Sequence, residues 1–223
     1  MKSEEAIRSI HNVYERFKVI RNLQEHLMRA AGIAELICDN WKGPAIEKSD
    51  VVAALLLHDV GNTVKMDFRT EEQIKMMGDE AKRVEYWIGV QNDIIKKYGT
   101  DDHIVTEKMI DELGIDKRVK DIITGHIFAN NKTIVNSNDW EIKIAAYADQ
   151  RVGPYSVMTL EERFKELKER YAKRNKLGKY SNLDELIEYS FEIEKQLLTN
   201  MTTSADKIND KTVKKYIKKY QSR

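Results

Sequence analysis

Five histidines occur in this 223-residue chain, and a helical reading turns most of them toward apolar neighbours. His26 lies within one turn of Leu23 and Ala30, and His126 comes one turn after Ile122 and Ile123. His58 closes the apolar run Ala53-Ala54-Leu55-Leu56-Leu57 and is followed at once by Asp59, while Asp149 lies one turn after Ala145 and Ala146. Residues three or four apart share a helix face, so these polar groups are aimed inward. Burying an imidazole or a carboxylate is costly unless it is hydrogen-bonded, ion-paired or bound to a metal. A single inward histidine is most often a hydrogen-bonded core residue. A divalent metal ion satisfies all of these groups together, and a mixed imidazole and carboxylate set suits manganese, iron, cobalt, nickel or zinc. An all-oxygen set would have pointed to magnesium or calcium.

The elements that must carry these residues read as helices. Ile20, Leu23, Leu27, Ala30, Ala34, Ile37 and Trp41 form one core-facing stripe, ended by Gly43-Pro44. Ser49 or Asp50 can cap the next segment, Val51–Leu57, which is apolar on every side, and Gly61 stops it. A charged amphipathic stretch runs from about Glu71 to Tyr98, and Thr100-Asp101-Asp102 opens a helix that stops at Gly114. Further helices are expected over Lys117–Phe128, Trp140–Val152, Leu160–Lys173 and Asn182–Asn200, with breaks at Pro154 and Gly178, and the lysine-rich tail from Ser204 reads as a last helix with a solvated face. With two prolines and ten glycines the chain has few breakers. The one strand candidate of any weight, Lys132–Val135, lacks a partner. The expected fold is an all-α bundle forming one domain over residues 1–223, with the C-terminal helices of residues 159–223 packing on or extending the region that carries the histidines.

In order, His26, then Leu55-Leu56-Leu57-His58-Asp59-Val60-Gly61, then Tyr147-Ala148-Asp149 resembles the HD superfamily of metal-dependent phosphohydrolases, whose signature is H…HD…D on successive helices. The resemblance covers about residues 21–151. It implies that His26, His58, Asp59 and Asp149 hold one ion. His103, at the start of a helix, and His126 sit where two-metal members place two further histidines, which implies a second ion bridged through Asp59; a surface residue at a helix start is the other reading of His103. Many two-metal members carry lysine where this chain has Asn62. Asn62 itself and the nearby cations Arg29, Lys65 and Arg151 are therefore the candidates for contact with substrate. His11 and Cys38 have no place in the pattern and read as structural.

Composition narrows the partners. With 38 Lys and Arg against 37 Asp and Glu the net charge is +1, so no global field favours nucleic acid or an anionic membrane. One cysteine excludes an intramolecular disulfide, no apolar leader opens the chain, and no run of about 18 apolar residues occurs. The cytoplasm is the expected location. The sequence contains no P-loop and no Gly-X-Ser-X-Gly nucleophile turn, so activated water is the expected nucleophile, with Asp59 orienting or deprotonating it. The resemblance implies a small phosphorylated substrate, a nucleotide or a related phosphomonoester or diester, and the pattern is compatible with homo-oligomers. A metal- and nucleotide-holding regulatory domain without turnover is the second reading, a carbon-oxygen oxygenase or lyase with a similar site is a third, and a helical interaction protein with structural histidines is a fourth.

Overall fold

Heptad-like apolar spacing without β-strand alternation gives the chain helices at nearly every periodic segment. The computed structural model describes residues 1–173 and 182–222. The helices are α1 (Ser3–Arg8), α2 (Ile10–Arg16), α3 (Arg21–Asp39), α4 (Lys48–Leu57), α5 (Glu71–Met77), α6 (Val84–Tyr98), α7 (Asp102–Glu112), α8 (Lys117–Gly125), α9 (Asn131–Asn136), α10 (Trp140–Gln150), α11 (Leu160–Lys173), α12 (Leu183–Leu198) and α13 (Asp210–Gln221). Among the described residues β structure is limited to two isolated bridges, Trp41 with Met201 and Val152 with Val157. The fold is all-α. No described helix is long and apolar enough to cross a membrane.

The apolar helix α4 is the axis of the site-bearing half. Every residue from Val51 to Leu57 is buried, because α1, α3, α8 and α10 all pack against it. A helix apolar on every side needs such company. Helix α3 turns Leu23, Leu27, Ala30, Ala34 and Ile37 into the same core. Its opposite side receives α13: Gly32 leaves room there, since a Cβ at that position would lie 2.9 Å from Val213 Cγ1. The buried carboxylate of Glu35 accepts hydrogen bonds from Lys219 and from the Tyr220 hydroxyl, and Asp39 accepts one from Tyr216 at 2.7 Å. The remaining lysines of α13 face solvent.

Several boundaries differ from the sequence expectation. Lys132–Val135 is helical, within α9, because Ile134 and Val135 bury against α12 and, among the described residues, no strand is present for them to pair with. Glu47 caps α4 through the Ser49 N–H, so Ser49 and Asp50 lie inside the helix, and Asp50 accepts a hydrogen bond from Ser3 instead. The stretch from Glu71 to Tyr98 is broken at Gly78, whose φ of 57° lies in the left-handed region. The helix from Lys117 stops at Gly125, so that His126 becomes its cap residue. Gly178 lies outside the described residues. Asp101 and Gly114 open and close α7 as expected, with the Asp101 carboxylate accepting from the His103 and Ile104 N–H groups.

Candidate metal centre

Four elements that touch one another deliver five side chains to one place. α3 contributes His26, the C-terminal end of α4 contributes His58 and Asp59, the end of α8 contributes His126, and α10 contributes Asp149. The chain turns sharply after Asp59, where Gly61 passes against α7. A Cβ on Gly61 would lie 2.6 Å from the Thr106 backbone nitrogen, and the Gly61 N–H donates to Thr106 Oγ1 at 3.1 Å. Its φ of −85° is an ordinary one, so space, not backbone conformation, requires glycine here.

His26 Nε2 lies 3.2 Å from Asp149 Oδ1 and 3.9 Å from Asp59 Oδ2. His58 Nε2 lies 3.3 Å from the same Asp149 oxygen, 3.7 Å from Asp59 Oδ2 and 3.4 Å from His26 Nε2. The His126 ring meets the His58 ring edge-on, with centroids 5.1 Å apart. Two overlapping sets therefore form, His26 with His58 and Asp59, and His58 with His126 and Asp149, each offering ligand atoms within 4.8 Å of one another. Ligand bonds of about 2.0–2.2 Å place the atoms around one ion at such separations.

The outer contacts fit the same use. His58 Nδ1 donates to the Leu55 carbonyl at 2.9 Å and His126 Nδ1 donates to the Ile122 carbonyl at 3.0 Å. Each bond fixes the tautomer and leaves Nε2 as the metal-facing lone pair. Burial disfavours charge on His58, but the carboxylates of Asp59 and Asp149 outweigh it and push its pKa up to about 9. Burial likewise opposes ionisation of both aspartates, yet His58 and His26 hold Asp59 below the usual carboxylate range and Asp149 well below it, with Lys65 adding to the effect on Asp59. Burial and the neighbouring His58 lower the pKa of His126, which keeps it a neutral ligand. The centre as a whole is a place where positive charge is stabilised, and its donor set matches a divalent transition metal.

The other sequence-named residues divide. His103 is exposed in the first turn of α7 and is in neither candidate ligand set. Lys65 is exposed, its ammonium is paired with Asp102, and it lies within electrostatic reach of Asp59 and Asp149. Asn62 is buried, and its Oδ1 has no hydrogen-bond partner among the described residues. Arg29 sits half-buried beside Asp210 and Glu25. Arg151 departs from the expectation of a substrate contact. It is 1% exposed, and its donors go to Tyr147 Oη and to the carbonyls of Met158, Ala205 and Ile208. The partners at 205 and 208 are distant in sequence, so spacing around Asp149 carries no sign of them. One cation went unnoticed in the sequence: Arg163 on α11 lies within electrostatic reach of Asp149. It stands among alternating acidic and basic residues of an amphipathic helix, where no local signal marks it.

No curated protein and no solved structure matches the chain. A family model, described as the HD domain, matches residues 23–208, a span running from the turn before His26 to the approach of α13. With most of its length inside that match, the chain belongs to the HD domain family.

Proposed function

We propose that the chain is a metal-dependent phosphohydrolase whose substrate is a nucleotide or a related phosphomonoester or diester. The observation that carries this reading is the convergence of His26, His58, Asp59, His126 and Asp149, with the Nδ1 atoms of two of the three imidazoles pinned to backbone carbonyls. Membership of the HD family supports hydrolysis as the reaction class. A divalent ion at these residues would lower the pKa of a water molecule and draw charge off the phosphoryl oxygens. Asp59 stays ionised at neutral pH; with Oδ2 turned toward His26 and His58, its carboxylate would orient the attacking water and accept its proton. The water oxygen forms the new bond to phosphorus, the bond to the leaving oxygen breaks, and that oxygen takes a proton from solvent. Lys65, paired with Asp102 and within electrostatic reach of Asp59, would offset negative charge on a bound phosphate.

A regulatory domain that binds metal and nucleotide without turnover is the second reading, favoured by Asn62 at the position after Gly61 and by the internal engagement of Arg151. One experiment separates them. Protein purified without added metal is analysed for bound elements, then assayed with nucleoside mono-, di- and triphosphates, cyclic dinucleotides and dinucleoside polyphosphates in the presence of manganese, cobalt, nickel or iron. Turnover that is lost with bound metal in His58→Ala supports the hydrolase. Tight metal binding with no turnover of any substrate supports the regulator, and protein that binds no metal overturns both.

A further inference from the structure

Helix α11 leaves the metal centre's own helix by a short route. After Asp149 the chain turns through Gly153–Met158, where the Gly153 N–H donates to Ser156 and the Met158 N–H to Arg151, both at 2.8 Å, and α11 starts at Leu160. Phe164 then rests on Phe128, with ring centroids 5.8 Å apart, two residues beyond His126. The helix thus spans from the loop after one candidate ligand to the segment after another, and one of its cations, Arg163, lies within electrostatic reach of Asp149.

The side chain of Arg163 is incompletely used. One end of the guanidinium donates to Glu166, yet its Nε is buried and has no hydrogen-bond partner among the described residues. Glu166 is shared, since it also accepts from Arg170 Nε at 2.8 Å. One carboxylate cannot neutralise two guanidinium groups, so the trio retains a net positive charge, with Arg163 within electrostatic reach of Asp149. A buried donor left without an acceptor is costly. Tetrahedral oxyanions meet this need, because the planar guanidinium fork matches phosphate in a bidentate fashion. Two other cations are committed elsewhere, Arg151 to backbone carbonyls and Lys65 to Asp102.

We infer that Arg163 is a substrate-binding residue that grips the phosphate of the substrate over the metal centre, with Glu166 holding it in place and Arg170 keeping Glu166 from neutralising it. This rests on the phosphohydrolase reading and adds to it the cation that Asn62 does not supply. Burial lowers the Arg163 pKa from that of a free guanidinium while Glu166 opposes the change, in keeping with a charge drawn out of water.

The test uses the full chain loaded with manganese, with inorganic phosphate as the probe in titration calorimetry and bis(p-nitrophenyl) phosphate as a reporter of turnover. Arg163→Ala should weaken phosphate roughly 10- to 100-fold, the range expected for losing a charge-assisted contact, with metal content unchanged. Arg163→Lys should fall between, and Glu166→Gln, which keeps an oxygen to position the guanidinium and removes only the charge, should hold or tighten phosphate. Wild-type affinity in Arg163→Ala, or equal loss in Arg163→Ala and Glu166→Gln, overturns the assignment and leaves a structural pair. Manganese-loaded wild type that neither binds phosphate nor turns over the reporter overturns the hydrolase reading itself, and this inference with it.

Discussion

His58 Nε2 and Asp149 Oδ1 meet at 3.3 Å across the junction of α4 and α10. In the apoprotein burial opposes charge on His58, but the carboxylates of Asp59 and Asp149 outweigh it and raise its pKa to about 9, so at pH 7 the ring carries an extra proton within this anionic cluster. A metal ligand must be a neutral imidazole, so at pH 7 binding of a divalent ion should release about one proton. Titration calorimetry in two buffers of different ionisation enthalpy measures that release directly, and identical apparent enthalpies in both would exclude it. The linkage has a definite sign. A folded-state pKa above the ordinary 6.5 contributes stability to the apoprotein that is fully present below 6.5 and is lost as pH rises through about 9. Metal affinity should rise over the same window.

Gly61→Ala should destabilise the fold by about 1–3 kcal/mol, the usual cost of overpacking, because the new Cβ meets the Thr106 backbone and not a movable side-chain tip. Relief requires the loop behind His58 and Asp59 to retreat from α7, so metal affinity should fall as well. Thermal melting and metal titration of the variant test both. A variant with the wild-type melting midpoint would show that the loop has slack which the 2.6 Å approach does not suggest.

These two positions illustrate what was readable beforehand. The apolar run into His58-Asp59 and the period-3.6 placement of His26, His126 and Asp149 announced inward polar groups, because helix periodicity is a local property of sequence. The role of Gly61 as a point of close approach was not announced, since Thr106 belongs to a different helix. The partners of Arg151 are hidden for the same reason: the carbonyls of Ala205 and Ile208 reach it through the tertiary fold. Lys132–Val135 has strand-like composition, but burial of Ile134 and Val135 against α12 decides its conformation.

Asp139 links fold stability to the site. Its carboxylate caps α10, the helix that bears Asp149, by accepting the Ile142 N–H at 3.0 Å, and it accepts two bonds from Arg118 at 2.8 and 2.7 Å. Burial opposes its ionisation, but Arg118 and the Ile142 N–H prevail and hold its pKa below the usual carboxylate range. A depressed folded-state pKa contributes stability that is present above the ordinary value near 3.8 and is lost as pH falls through the folded one. Asp139→Ala should cost about 1–2 kcal/mol at pH 7, in the range of a lost helix cap, and should lower the melting midpoint by roughly 2–8 °C for a chain of this size. Asp139→Asn keeps the capping oxygen and loses only the charge, so its deficit should be smaller. Melting curves between pH 3 and pH 7 check the ordering: the gap between wild type and Asp139→Asn should close toward pH 3, and a constant gap would assign the effect to packing.

His103 and His126 separate one-ion from two-ion chemistry. The sequence pattern offers both as extra ligands between the HD pair and Asp149, with a surface position at a helix start as the other reading of His103. The structure treats them differently. His126 is buried, T-stacked on His58 and fixed through Nδ1, whereas His103 is exposed, with its backbone N–H tied to the Asp101 cap. Helix α7 buries Val105, Thr106, Met109 and Ile110, and His103 is not part of that buried face. A centre built from His26, His58, Asp59, His126 and Asp149 therefore predicts that His103→Ala keeps wild-type metal content and turnover. His126→Ala should lose more affinity than the ~10- to 100-fold that removal of an outer-shell partner costs, because a direct ligand goes. Elemental analysis of both variants after dialysis against excess manganese decides the matter. If His103→Ala lost one of two bound ions, α7 would have to swing its first turn inward when metal binds, and Asp102 would have to release Lys65 as it moved.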